Sequence, residues 1–285
     1  MDLYCVMGNP VEHSRSPWIH ARFAELTGQA LRYERRLAPV DGFAAAVAGF
    51  RAEALAAGDR ARGCNVTVPF KLDAATLADR LTPRARLAGA VNVLDFAADG
   101  VLGDNSDGVG LVADIVHNAG VPVAGADLLL IGAGGAAAGV LGPLLEQRPR
   151  RVVLANRTLA KAEWLVRRHA DLAMAHGAGL EARALDAFGA ATDDGFDIVV
   201  NASASSLSGA AAPVPSSVLR PGALALDLMY GPAAAGFLAW AAEHGARPRD
   251  GLGMLVEQAA QAFLLWRGVR PLSGQVLAEL RERLG

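Results

Sequence analysis

Lysine is almost missing from this sequence: Lys71 and Lys161 stand alone among 27 basic residues, the rest being arginine. Arginine serves where a permanent cation is enough, because its guanidinium keeps its proton at any accessible pH, whereas a lysine amine can release and recover one. A retained lysine is therefore a candidate acid or base. Lys71 closes the segment Asn65-Val66-Thr67-Val68-Pro69-Phe70-Lys71. Taken alone it reads equally well as a surface cation; Asn65 and Thr67, on one face of an extended segment, turn the reading toward a site.

Other absences narrow the class. The only cysteines, Cys5 and Cys64, are far apart and form no metal or redox motif, so both read as buried reduced thiols of a cytoplasmic protein. A net charge of −2 gives no electrostatic reason for a nucleic-acid or anionic-membrane partner. Asp2 and Asn9-Pro10 break any early apolar run, so no signal peptide is expected, and the sequons at Asn65, Asn156 and Asn201 read as asparagines free for other work. The charge-free stretch 128–145 contains Gly132, Gly134, Gly135 and Pro143, which fits a strand, a turn and a buried helix better than a membrane span.

What is present is an ordinary globular composition, 52% hydrophobic and 20% charged, in a 285-residue chain long enough for two domains. Apolar runs at 3–7 and 63–68 read as strands, and 17–27 and 42–57 as helices, a βαβ rhythm. A helix over 109–119 leads into strands at 127–131, 151–155, 181–185, 197–201 and 223–228, separated by helices or loops, the alternation of a doubly wound parallel sheet. A long apolar helix over 254–266 and a short one from 273 close the chain. The expected fold is α/β: a first domain over 1–108, a Rossmann-like domain over 109–250, and C-terminal helices over 251–285 returning to the first.

Gly132-Ala133-Gly134-Gly135-Ala136-Ala137 follows a strand and opens a helix, the context in which glycines admit a pyrophosphate and helix N–H groups bind it. An NAD site would place an acidic residue at the end of the next strand to hold the ribose 2′-hydroxyl. That acid is absent here. The position reads Asn156-Arg157-Thr158, which suits a 2′-phosphate, so the expected cofactor is NADP. Lys161, about one helical turn on, adds charge or is merely solvated, and Arg157 has a plain alternative as a helix-start surface residue.

Ser14 and Ser16 precede a helix, where Ser16-Pro17 reads as an N-cap and first helical position; two hydroxyls there also form a cradle for a carboxylate. Asn92, in Gly89-Ala90-Val91-Asn92, adds an amide, and Asp107, in Gly103-Asp104-Asn105-Ser106-Asp107-Gly108, a carboxylate able to hold a lysine ammonium or simply to shape a turn. These segments resemble the shikimate dehydrogenase family from Tyr4 to Trp266, in order, together with Asn65 to Lys71, the Gly132 loop, Asn156-Arg157-Thr158 and Asp250-Gly251-Leu252-Gly253-Met254-Leu255-Val256-Glu257-Gln258.

The resemblance implies NADPH-dependent, reversible reduction of 3-dehydroshikimate to shikimate in a cleft between two α/β domains. It implies Lys71 and Asp107 as the catalytic pair and Ser14 and Ser16 on the substrate carboxylate. Asn65, Thr67, Asn92 and Gln258 fall on ring hydroxyls, and Tyr230 on the substrate side. It puts Gly132, Ala133, Gly134, Gly135, Ala136, Asn156, Arg157, Thr158, Lys161, Asn201, Ser203, Leu228 and Gly251 on the cofactor. Lys71 suits the proton transfer to the forming alkoxide, Asp107 suits holding lysine and substrate, and no metal is needed. The sequence departs from the family pattern at Ser106, Ala138, Ser206 and Gly231-Pro232-Ala233. Small-molecule substrate aside, no partner is expected, and monomer and homodimer are both open. Rival readings are a quinate/shikimate dehydrogenase of broader range, an enzyme for amino-substituted ring analogues, and an NADP-binding sensor without turnover.

Overall fold

The computed structural model describes residues 1–189, 195–203 and 212–284, which leaves Ser206 outside the described residues. The chain forms two compact units, one of Met1–Gly110 with Val256–Gly285 and one of Leu111–Leu255.

The first unit contains β1 (Asp2–Gly8), α1 (Ser16–Thr27), β2 (Leu31–Leu37), α2 (Phe43–Ala56), β3 (Arg60–Val66), α3 (Lys71–Leu77), β4 (Arg80–Leu81), α4 (Pro83–Ala88), β5 (Val93–Ala97) and β6 (Gly100–Asp104). Its six-stranded sheet has the order β2-β1-β3-β5-β6-β4. β1 runs parallel to β2 and β3, while β5 is antiparallel to both β3 and β6. Because strand side chains alternate, Leu3, Cys5 and Met7 enter a core with Phe50, Val66 and Phe70, whereas Tyr4 faces the other way onto Val93, Ala262 and Trp266. The Trp266 indole also donates to the Leu94 carbonyl at 3.1 Å. Cys5 and Cys64 are free, buried and in register on adjacent strands, and burial pushes the Cys5 thiol well up.

Three local expectations change. β2 was not expected, since Arg32, Glu34, Arg35 and Arg36 mask its alternation; it is an edge strand. Ser16 does not cap α1: Arg15 occupies the cap position, no side chain caps the helix, and the Ser16 amide instead donates to Ser14 Oγ at 3.3 Å. The extended segment ends at Val66; the Phe70 amide turns back to the Thr67 carbonyl at 3.1 Å, and Lys71 begins a helix.

The second unit starts within α5 (Asp107–Ala113), which passes into a π-helical turn, Asp114–Asn118. Then come β7 (Asp127–Ile131), α6 (Gly135–Glu146), β8 (Arg151–Asn156), α7 (Leu159–Ala175), β9 (Gly179–Ala184), β10 (Phe196–Asn201), β11 (Leu219–Asp227), α8 (Ala235–Glu243), β12 (Arg247–Arg249) and the start of α9 (Leu252–Arg267). α9 continues into the first unit, followed by α10 (Ser273–Leu284). All strand pairs in this unit are parallel, in the order β12-β11-β10-β7-β8-β9. That is the doubly wound arrangement, with the reversal of winding between β7 and β10. β7 is buried on both faces, Leu128 and Leu130 on one and Leu129 and Ile131 on the other, as a central parallel strand requires. Among the described residues no helix is long and apolar enough to cross a membrane.

Candidate active site

In the first unit Lys71, Asp107, Asn92, Gln258 and Asn65 are joined by hydrogen bonds. Lys71 Nζ donates to Asp107 Oδ2 at 2.5 Å; the lysine side chain is 21% exposed and the aspartate 8%. The other carboxylate oxygen, Oδ1, accepts from Asn92 Nδ2 at 2.8 Å. Both carboxylate oxygens of Asp107 thus accept a hydrogen bond.

Asn92 is the hub. Its Nδ2 also lies 3.1 Å from Ser106 Oγ and 3.2 Å from Gln258 Oε1, and its Oδ1 accepts the Ser106 amide at 2.8 Å. Gln258 is buried and reaches Ser106 as well, so its amide is not a helix-surface group. Asn65 Nδ2 donates to the Asn92 carbonyl at 3.3 Å, and Asn65 Oδ1 accepts from the Tyr33 hydroxyl at 2.7 Å. Thr67 is half-buried, and its amide returns to Met7 O at 2.9 Å. Ser14 and Ser16 lie at the head of α1, where the Arg35 guanidinium forks the Ser14 carbonyl at 3.0 and 2.7 Å.

The loop carrying Asp107 is braced from below. Burial would raise the Asp104 carboxyl, but the Arg84 guanidinium, aided by Thr82 and the Asn105 amide, holds it below the usual range. Asn105 bonds to the Ala90 carbonyl and accepts the Asp107 amide at 3.1 Å. Tyr33 and His20 were not read from the sequence. The His20 ring stacks on Tyr33 at 4.2 Å, and the alternation of β2, once seen beneath its charges, is the signal that exposes Tyr33.

The second unit holds the predicted cofactor residues. Gly132 has a φ of 108°, disfavoured for any residue with a Cβ, and a Cβ there would lie 2.9 Å from the Ala202 carbonyl. A Cβ on Gly134 or Gly135 would meet nothing within 4 Å among the described residues, and α6 begins at Gly135 behind a glycine that has no side chain to cap it. Ala133 and Ala136 flank them, half-buried. At the end of β8, Asn156 Nδ2 bonds to the Thr158 carbonyl at 2.8 Å. Arg157, Thr158 and Lys161 are exposed, and no acidic side chain among the described residues pairs with Arg157. This set fits a dinucleotide with an extra phosphate: room and the head of a helix at the glycines, a cation where an acid would repel.

At the end of β10, Asn201 Oδ1 accepts from the Ser203 hydroxyl at 2.7 Å and Asn201 Nδ2 donates to buried Asp227 at 2.9 Å. Asp227 also accepts the Met229 amide at 2.8 Å. Leu228 bonds back to the Asn201 carbonyl, and the Gly251 amide to Met229 O at 2.9 Å. Tyr230 follows, half-buried, in this unit. Asp227 joins the residues read from the sequence, and an acid ending an apolar strand is its signal there.

Comparison with known proteins agrees in every part of the chain. Residues 6–94 match the shikimate dehydrogenase substrate binding domain, 114–208 the shikimate / quinate 5-dehydrogenase family, and 251–281 the shikimate 5′-dehydrogenase C-terminal domain. The chain is similar to the shikimate dehydrogenase (NADP(+)) of Paracidovorax citrulli, 63% identical over 99% of this chain and 98% of the relative. An Ael1 enzyme from Pseudomonas putida superposes with a TM-score of 0.87 at 43% identity, covering 98% of each chain. The Thermus thermophilus shikimate 5-dehydrogenase in complex with NADP(H) and shikimate superposes at 0.82 and 30% identity, covering 99% of each.

Proposed function

The chain belongs to the shikimate dehydrogenase family, and on that premise we propose that it catalyses the reversible NADPH-dependent reduction of 3-dehydroshikimate to shikimate. The observation that carries the reading is the Lys71–Asp107 pair, joined through Asn92 to Gln258. In this reading the first unit binds substrate and the second binds NADP. Ser14 and Ser16 meet the carboxylate; Asn65, Thr67, Asn92 and Gln258 meet the ring hydroxyls, with Tyr230 on the same ligand.

The amides from Gly132 to Ala136 hold the pyrophosphate, and Asn156, Arg157, Thr158 and Lys161 hold the 2′-phosphate. Asn201, Ser203, Leu228 and Gly251 line the nicotinamide half. Bound NADPH supplies the hydride, and NADP accepts it in reverse. The ammonium of Lys71 donates its proton to the oxygen of the reduced ketone, and its amine takes that proton back in the oxidation. Asp107 accepts from both Lys71 and Asn92, so it orients the amine. The enzyme works in the cytoplasm, as monomer or homodimer.

Purified protein given shikimate or quinate with NADP or NAD tests the reading. Shikimate with NADP is expected to give the highest kcat/KM by a wide margin. A preference for quinate or NAD replaces the reading by the broader quinate/shikimate one, and no turnover with any pair removes it.

A further inference from the structure

Asp114 takes no part in the chemistry described so far, yet it is fully buried in the π-helical turn after α5. Its carboxylate receives a two-pronged contact from Arg249, Nε to Oδ2 at 2.7 Å and Nη2 to Oδ1 at 2.5 Å, and a third bond from Asn118 at 3.0 Å. The same carboxylate lies against the backbone of Gly253: a Cβ there would sit 1.8 Å from Oδ1. One side chain thus bonds the arginine at the start of residues 249–253 and packs against the glycine at the finish. On its other side this turn is pressed against the end of β11, where a Cβ on Gly251 would lie 2.1 Å from the Leu228 carbonyl. The Leu228–Met229 backbone is fixed in turn by Asp227, through the Met229 amide at 2.8 Å.

We propose that Asp114 and Arg249 are a positioning pair for hydride transfer: a buried ionic strut that sets the 249–253 turn, and with it Gly251, against the end of β11. The inference rests on the reading above that Gly251 and Leu228 line the nicotinamide half. A bidentate carboxylate–guanidinium pair fixes orientation as well as distance, which a single contact does not. A π-turn at its base is the kind of local irregularity that recurs where a side chain is re-aimed for function. Neither residue touches the reacting atoms; both act through the backbone of the turn.

The test uses the full-length enzyme and the variants Asp114→Asn, Arg249→Lys and Gly253→Ala, the last forcing the carboxylate off its arginine. Three quantities are measured: kcat, the primary isotope effect with NADPH deuterated at the transferred position, and affinity for adenosine 2′,5′-bisphosphate. That probe reports the adenosine half alone. We expect kcat to fall roughly 10- to 100-fold, the isotope effect to rise as the hydride step becomes limiting, and bisphosphate affinity to stay unchanged. Combining two of the variants should add little to either. Variants that bind bisphosphate normally and keep wild-type kcat and isotope effect overturn the strut; so does parallel loss of bisphosphate binding and kcat in all three, Arg249→Lys included, which assigns the pair to general stability. Failure of the wild-type chain to reduce NADP with shikimate defeats instead the functional reading beneath it.

Discussion

Asn92 and Gln258 lie 166 positions apart in sequence, yet their side-chain amides meet at 3.2 Å within the first unit, and the same Asn92 amide holds Asp107 at 2.8 Å. α9 therefore brings Gln258 to the same amide that bonds Asp107.

Replacing Asn92 with alanine removes at once the polar contacts of its side chain with Ser106, Asp107 and Gln258. Leaving those buried groups unpaired is expected to destabilise the protein by about 1–3 kcal/mol. Because Asp107 loses its second anchor, kcat/KM should fall further than stability alone explains, by roughly 100-fold. Denaturant unfolding and steady-state kinetics on the same preparation separate the two. Unchanged kcat/KM in a folded variant contradicts Asn92 as the organiser of the pair.

Arg157 is exposed and has no acidic partner among the described residues. Arg157→Ala should raise the KM for NADP about tenfold to a hundredfold, the worth of a charge-assisted hydrogen bond, while the KM for NAD barely moves. Equal effects on both cofactors would remove the 2′-phosphate role.

Much of this was legible from the chain itself. The Gly132 loop announces itself because its strand, turn and helix are contiguous, and Lys71 because lysine is so scarce. Lys71, Asp107, Asn92, Asn65 and Gln258 share one hydrogen-bond network, reached by routes that no local pattern reveals. Lys71 arrives on a helix, not on the strand that carries Asn65. Gln258 comes from the far end of the chain. The edge strand β2 was hidden by its own charges, and Tyr33 with it. The hairpin of β5 and β6, which makes the first sheet mixed, does have a sequence signal in Asp99-Gly100, but the surrounding parallel rhythm masks it. Asp114 and Arg249 are ordinary letters in sequence, and only burial and the glycine beside them give them meaning.

His20 yields a prediction about pH. Burial among Tyr33, Phe23, Phe263 and Trp266 lowers its pKa from an ordinary 6.5 to about 3. Between those values the unfolded chain binds a proton that the folded protein refuses, so this group favours folding fully above 6.5 and progressively less as pH falls toward 3. The slope is at most about 1.4 kcal/mol per pH unit. His20→Phe should flatten this part of the stability profile, as measured by denaturant melts between pH 7 and 4. A variant whose profile parallels the wild type places the acid sensitivity elsewhere.

The account turns on Lys71 as the proton carrier, and the most direct measurement is kcat for shikimate oxidation by Lys71→Ala beside its equilibrium affinity for shikimate. The account predicts a kcat lower by roughly 10²- to 10⁴-fold with shikimate still bound at close to wild-type affinity. Near-normal turnover in that variant would contradict it.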